Sequence, residues 1–337
     1  MMKFGLTIAL VSLSACSLAP LATPPAPMTD SCTVSAEDQA WIDSALVAWR
    51  LSADEMTGIG NVADFQAVFF DAGCVLTSTN ALSSARPGDA IWIAAPHSGT
   101  IKLPDGGEMP ASITSFTSAT DDLTFFVMST PSVWREGGVD GGPLGLETLM
   151  VAVLLHEGSH VAQANSYGVQ ISALAERNRL PDNFDDDTMQ TQFEGEPAFA
   201  ESVARETGLF LQAAAAADLD AARQLAGEAR SLMRERAARY FVGEDAYWSE
   251  AEDLWLTFEG AGQWAGYAWL ADPHGAAATE ETAMPGFGQR SRWWSQKEGL
   301  AIVLALDRIS PDSWKPSLYG DGEMTLLQLL DAALSED

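Results

Sequence analysis

The stretch Val151–Gln163, VAVLLHEGSHVAQ, contains His156-Glu157-Gly158-Ser159-His160, the pattern H-E-x-x-H. In an α-helix, residues i and i+4 lie on one face, one turn apart. A helix here turns both imidazoles the same way and leaves Glu157 beside them. The flanks favour that helix, because Leu146–Val153 contains neither Pro nor Gly. Asn165-Ser166-Tyr167-Gly168 reads as its stop. Two imidazoles with a neighbouring carboxylate form the donor set of a hydrolytic zinc site, where the metal activates water and the acid takes its proton. The chain has only four histidines, and two of them sit in this motif, which weakens chance as its origin.

A catalytic zinc takes three protein ligands and keeps a position for water. No third histidine follows at H-x-x-G-x-x-H spacing, since Gln163, Ala164 and Ser166 occupy that region. That excludes the metzincin pattern and leaves a carboxylate from a later helix. The motif, followed by Gln192-Phe193-Glu194-Gly195-Glu196-Pro197-Ala198-Phe199, resembles the gluzincin class of zinc peptidases over Leu149–Phe199. The resemblance implies a Zn2+ cofactor held by His156, His160 and Glu194, with Glu157 as general base and a peptide or protein as substrate. Pro197 departs from the usual pattern and sets Glu194 at a helix cap rather than inside a helix. Glu-Gly recurs in Phe258-Glu259-Gly260 and Lys297-Glu298-Gly299, so Glu259 ranks second as ligand, with Glu298, Glu196 and Glu201 further acids to weigh. For the oxyanion, a Tyr, an Arg or His274 is a candidate donor. The strand ending at Thr130 is a candidate edge for pairing an extended peptide.

The formal net charge of −29 argues against nucleic acid and anionic lipid surfaces as partners. A composition 47% hydrophobic and 19% charged is that of a folded chain. The first residues read as a leader, with Lys3 before an apolar run Phe4–Leu13. Leu13-Ser14-Ala15-Cys16 resembles the bacterial lipobox. That resemblance implies a signal peptide over 1–15, lipidation of Cys16 and, with Ser17 next to it, a lipid anchor in the outer membrane facing the periplasm. Residues 16–31, with Pro20, Pro24, Pro25 and Pro27, read as a tether. Cys32 and Cys74 then remain, and in an oxidising compartment they pair as a disulfide.

The remaining pattern predicts an α+β fold. A strand-containing lobe over 32–143 precedes a mainly helical, zincin-like lobe over 144–337 that carries the H-E-x-x-H helix. Ser35–Leu51 reads as a helix capped by Ser35. Phe65–Phe70, Cys74–Thr77, Ala90–Ala94, Thr100–Leu103, Ser112–Phe116 and Leu123–Met128 read as strands. Gly137–Gly145 is a break. Helices are expected over Glu196–Ala217, Asp218–Phe241, Asp245–Leu270, Arg292–Ile309 and Glu323–Leu334. The arginines of Asp218–Phe241 are expected to pair with acids, and the tryptophans of Asp245–Leu270 to be core. The acidic loop Pro181–Asp187 reads as solvated charge, and His97 as a loop residue. Two other functions stay open: a non-enzymatic envelope lipoprotein, and a di-iron carboxylate bundle, which needs a second Glu-x-x-His unit that the chain lacks.

Overall fold

Ser35 accepts a hydrogen bond from the Asp38 amide at 3.0 Å and so starts α1, Ala36–Leu51. The computed structural model describes residues 6–7, 32–59, 65–79, 91–120, 123–181, 183–311 and 313–335. The tether and Cys16 lie outside the described residues, and of the leader only Leu6–Thr7 is described, as a two-residue strand β1.

Strands β2 (Gln66–Phe70) and β3 (Cys74–Ser78) form where strands were expected and pair as a hairpin. Its turn is held by Asp71, whose Oδ1 accepts from the Gly73 and Cys74 amides at 2.9 and 2.8 Å. Next come β4 (Trp92–Pro96), β5 (Thr100–Lys102), β6 (Glu108–Pro110), β7 (Ser115–Ala119) and β8 (Thr124–Ser129). One sheet runs β1-β7-β8-β2-β3-β4, with β2 and β8 parallel and the other pairs antiparallel; β5 and β6 pair separately. β8 therefore lies inside the sheet, between β7 and β2, and both its edges are occupied. The expectation that the strand ending at Thr130 offers a free edge is thus corrected.

Alternation divides the sheet residues between two cores. Ala67, Phe69, Phe126 and Met128 join the helical side, while Val68, Phe70, Phe125 and Val127 pack under Ile101 of the small β5–β6 ribbon. A disulfide links Cys32 to Cys74, Cα–Cα 5.7 Å, and ties the chain before α1 to β3 as expected. Near the sheet, Asp38 of α1 accepts from the amide and hydroxyl of Ser132 in α2, Pro131–Glu136.

The glycine break ends at α3, Leu146–Gln163, the motif helix. Where a stop was expected, Ala164–Gly168 instead makes a π-helical turn that feeds α4, Val169–Asn178. Tyr167 fixes this turn by donating to the carbonyl of Ser317 at 3.0 Å, so a tertiary contact overrides the local stop signal. Then follow α5 (Thr188–Phe193), α6 (Pro197–Ala214), α7 (Leu219–Tyr240), α8 (Trp248–Ala271), α9 (Glu280–Ala283), α10 (Trp294–Ile309) and α11 (Leu326–Ser335). The fold is α+β, with the strands N-terminal and the C-terminal part mainly helical. A single apolar core runs from α1 and the sheet through α3 to α8, α10 and α11, so the two lobes share it. Trp248, Trp255 and Trp264 are buried in it, as the aromatic pattern suggests.

Candidate metal centre

Two helices build the centre. α3 supplies His156, Glu157 and His160, all buried, and α8 supplies Glu259, which is fully buried. Small residues let these helices approach. A Cβ on Gly262 of α8 would sit 2.8 Å from the His156 ring, and one on Gly266 would sit 2.6 Å from the carbonyl oxygen of Ala152. Glycine here removes the methyl that would hold the helices apart. On the other side of α3, Gly158 makes room for the Trp49 ring of α1. The His160 ring lies flat on Phe258, with centroids 3.9 Å apart and planes 2° from parallel, and this fixes its rotation.

The imidazole Nε2 atoms of His156 and His160 are 2.9 Å apart. Glu259 Oε2 lies 3.3 Å from His156 Nε2, and Oε1 lies 3.4 Å from His160 Nε2. Tetrahedral coordination with bonds of about 2.0–2.1 Å would place ligand atoms roughly 3.3–3.4 Å apart. The two edges to Glu259 match that spacing, and the 2.9 Å edge between the imidazoles is shorter, so a small divalent cation seated here would spread the two rings slightly. Glu259 Oε1 is buried without a hydrogen-bond partner among the described residues, as an oxygen reserved for a ligand would be. The second carboxylate oxygen is held: Gln296 of α10 donates to Glu259 Oε2 at 3.1 Å, and Gln263 donates to Gln296 Oε1 at 2.9 Å.

The electrostatics follow from burial and neighbours. Burial raises the Glu259 carboxyl, but the two facing histidines outweigh it and hold the group well below its ordinary range. Burial works against a charged His156, yet the hydrogen bond and charge of Glu259, with Glu157 adding, keep its pKa above the usual value. For His160 burial prevails and the pKa is lowered. Glu157 is pushed up to about 7 by burial, against the pull of His156 and a hydrogen bond from Ser115. Ser115 Oγ donates to Glu157 Oε1 at 3.0 Å, and Thr117 Oγ1 lies 3.4 Å from Oε2 while donating to the Glu157 carbonyl at 2.8 Å. Alternation along β7 places Ser115 and Thr117 on the same face, toward α3.

Beside the centre is a cavity of about 240 Å3, lined by His156, Glu157, Gln263, Gln296, apolar side chains and the segment Arg290–Trp293. His274 is not among its lining residues, and its side chain is 80% exposed in a turn. No tyrosine lines it either, so of the three oxyanion candidates only arginine is present, as Arg290 and Arg292.

Glu194 is not part of this arrangement. It is exposed at the C-terminal end of α5, and the carboxylate at the histidines belongs to Glu259. The gluzincin resemblance, with closeness in the chain, pointed to Glu194, whereas packing of α8 across α3 brings in the more distant acid. Glu196 and Glu201 are likewise exposed, and Glu298 is buried elsewhere. The cluster holds one carboxylate and two histidines, not the paired units of a di-iron bundle. His97 Nε2 lies 2.9 Å from the carbonyl oxygen of Asp71 in the hairpin turn, a local contact. The acidic loop departs from the solvated reading, because Asp186 is buried, with Ser295 Oγ 3.4 Å from its Oδ2. Burial and the nearby Glu259 charge push its pKa well up. Among the described residues no helix is long and apolar enough to cross a membrane. No family model, no curated protein and no solved structure matches the chain.

Proposed function

We propose that the protein is a zinc peptidase in which His156, His160 and Glu259 hold one Zn2+ ion and Glu157 is the general base. The observation that carries this reading is the placement of a buried Glu259 carboxylate on the two Nε2 atoms of an H-E-x-x-H helix, with edges of 3.3 and 3.4 Å. When bound there, zinc would lower the pKa of a water toward neutrality and polarise the substrate carbonyl. Glu157, one residue from a ligand and lining the cavity, accepts the proton of the attacking water and returns it to the leaving amine. Ser115 and Thr117 hold its carboxylate in place during both transfers.

Metal analysis with a peptide-hydrolysis assay tests this. Wild-type protein and the Glu157→Gln and Glu194→Ala variants should each carry about one zinc, as a three-ligand site does. His156→Ala and Glu259→Ala should carry none, and Glu157→Gln should be inactive with its metal in place. Zinc retained by Glu259→Ala and lost by Glu194→Ala would overturn the ligand assignment. A zinc-loaded wild type that cleaves no member of a diverse peptide library would overturn the activity.

The N-terminal reading belongs to the same proposal. Lipid on Cys16 would fix the site at the bacterial envelope, and incorporation of labelled palmitate by wild type but not by Cys16→Ala checks it.

A further inference from the structure

The cavity beside the centre has an uneven chemistry. Its walls are apolar, with Trp134, Leu149, Val153 and Phe287. At one side stand Arg290 and Arg292, both exposed, in a segment that runs straight into the N-terminus of α10. Neither arginine is within ion-pair distance of a carboxylate among the described residues, in a chain whose formal net charge is −29. Arg292 does act on Asp187, whose pKa burial pushes up and the Arg292 charge pulls down. The arginines that do pair lie elsewhere, on α7 and at other surface sites. Arg292 is stacked over the Trp293 ring at 4.0 Å, which limits the directions its guanidinium takes. Arg290 packs over Gly142, where a Cβ would lie 2.8 Å from its Nη1. The start of a 16-residue helix adds its own positive potential at the same place.

A third element faces this space. Gln263 is 3% exposed and lines the cavity, and its Oε1 has no hydrogen-bond partner among the described residues. Its amide nitrogen is already committed to Gln296, which fixes the oxygen as an acceptor awaiting an N–H. An unmet acceptor, an apolar wall and two guanidinium groups on the same rim match three features of one molecule: the amide N–H, the side chain and the free carboxylate of a peptide's last residue. Size agrees, because about 240 Å3 falls below the range of roughly 300–1,000 Å3 typical of sites for larger ligands. It has room for one residue at its inner end.

We propose that this cavity takes the carboxyl-terminal residue of a peptide, with an apolar side chain against Val153 and Phe287, its N–H on Gln263 and its carboxylate between Arg290 and Arg292. This rests on the peptidase reading for its consequence, which is cleavage close to a free C-terminus. Binding itself is tested without hydrolysis. N-acetylphenylalanine and its uncharged carboxamide are titrated against the full-length protein, with Trp134 and Trp293 as fluorescence reporters. The titrations are run on zinc-loaded and chelator-treated protein, and again on the Arg290→Met/Arg292→Met variant.

The acid should bind at least about tenfold more tightly than the carboxamide, as expected for a bidentate charge-assisted pair. That preference should persist after zinc is removed, shrink as salt is added, and vanish in the double variant, whose far-ultraviolet circular dichroism should match wild type. Equal binding of the two probes, no binding of either, or a preference kept by the double variant would overturn the proposal. A preference present only with zinc would also overturn it, because the carboxylate would then be on the metal. A loss of zinc binding in the metal analysis above counts against the peptidase reading alone, since the titration on chelator-treated protein stands without it.

Discussion

Gln296 Nε2 donates to Glu259 Oε2 at 3.1 Å, so α10, which carries neither histidine nor Glu259, sets the orientation of the acid that faces both imidazoles. Partners that orient ligands in this way are worth about 10–100-fold in metal affinity. Gln296→Leu should therefore weaken zinc binding by about that factor, measured by competition with a chelating dye. Gln296→Glu should also weaken it, by placing a second negative charge against Glu259 where a donor is required. Unchanged affinity in both variants would mean that Glu259 is positioned by α8 alone.

Ser115 and Thr117 reach Glu157 from the sheet and not from its own helix. Removing hydrogen bonds to a charged group costs about 1.5–3 kcal/mol, or roughly one to two powers of ten in rate. The Ser115→Ala/Thr117→Val double variant should lose about that much kcat while keeping its zinc and fold. A loss confined to KM would instead place these hydroxyls on the substrate.

Gly262 lies under the His156 ring, and a Cβ there would meet it at 2.8 Å. Gly262→Ala should lower stability by about 1–3 kcal/mol, as overpacking does, and should impair zinc binding because the ring it displaces is one of the proposed ligands. Gly195→Ala is the control, since a Cβ at that position meets nothing. Thermal melts with and without zinc read both effects. A zinc-dependent rise in Tm equal to that of wild type would contradict the Gly262 prediction.

Arg236 of α7 is buried and donates to Glu206 at 2.6 Å and to Glu252 at 2.6 Å. The fully buried Glu298 adds a third acid to the group, and burial followed by the Glu206 charge holds its pKa well above the ordinary value. A group whose pKa is raised by folding favours the folded state fully below its unfolded pKa. That contribution is lost as pH climbs through the folded pKa. Glu298→Gln should therefore raise Tm at neutral and mildly alkaline pH, by about 2–4 °C per kcal/mol gained, and should flatten the alkaline fall in stability. Arg236→Met, which leaves acids buried without their cation, should cost about 3–5 kcal/mol. Melts across about pH 5 to 9 test the pair, and a Glu298→Gln protein that is less stable at every pH would refute the assignment.

The sequence disclosed the parts of this molecule that depend on local spacing. The i, i+4 histidines, the Ser35 cap and the Cys32–Cys74 link all fall where pattern places them. It did not disclose which acid meets the histidines, because Glu194, Glu259 and Glu298 share the same Glu-Gly signature and only helix packing separates them. Gly262 was the available hint: a run of small residues after Phe258-Glu259 marks α8 as the helix that must come close to another. Ser115, Thr117 and Gln296 left no such trace. Each acts across a long stretch of chain, and a lone hydroxyl or amide has no spacing to read. Tyr167 overrode a stop signal for the same reason, by a contact with the carbonyl of Ser317.

Gly260 of α8 and Gly299 of α10 meet backbone to backbone, so closely that a Cβ on Gly299 would sit 2.7 Å from the Gly260 Cα. Each follows a glutamate, and those two glutamates leave the junction in different directions, Glu259 to the histidines and Glu298 to the Arg236 group. The junction is thus a common pivot for two otherwise separate charge centres. A wedge driven in there would tilt both acids together, so the Glu259–histidine cluster and the distant ionic group would fail as a single event.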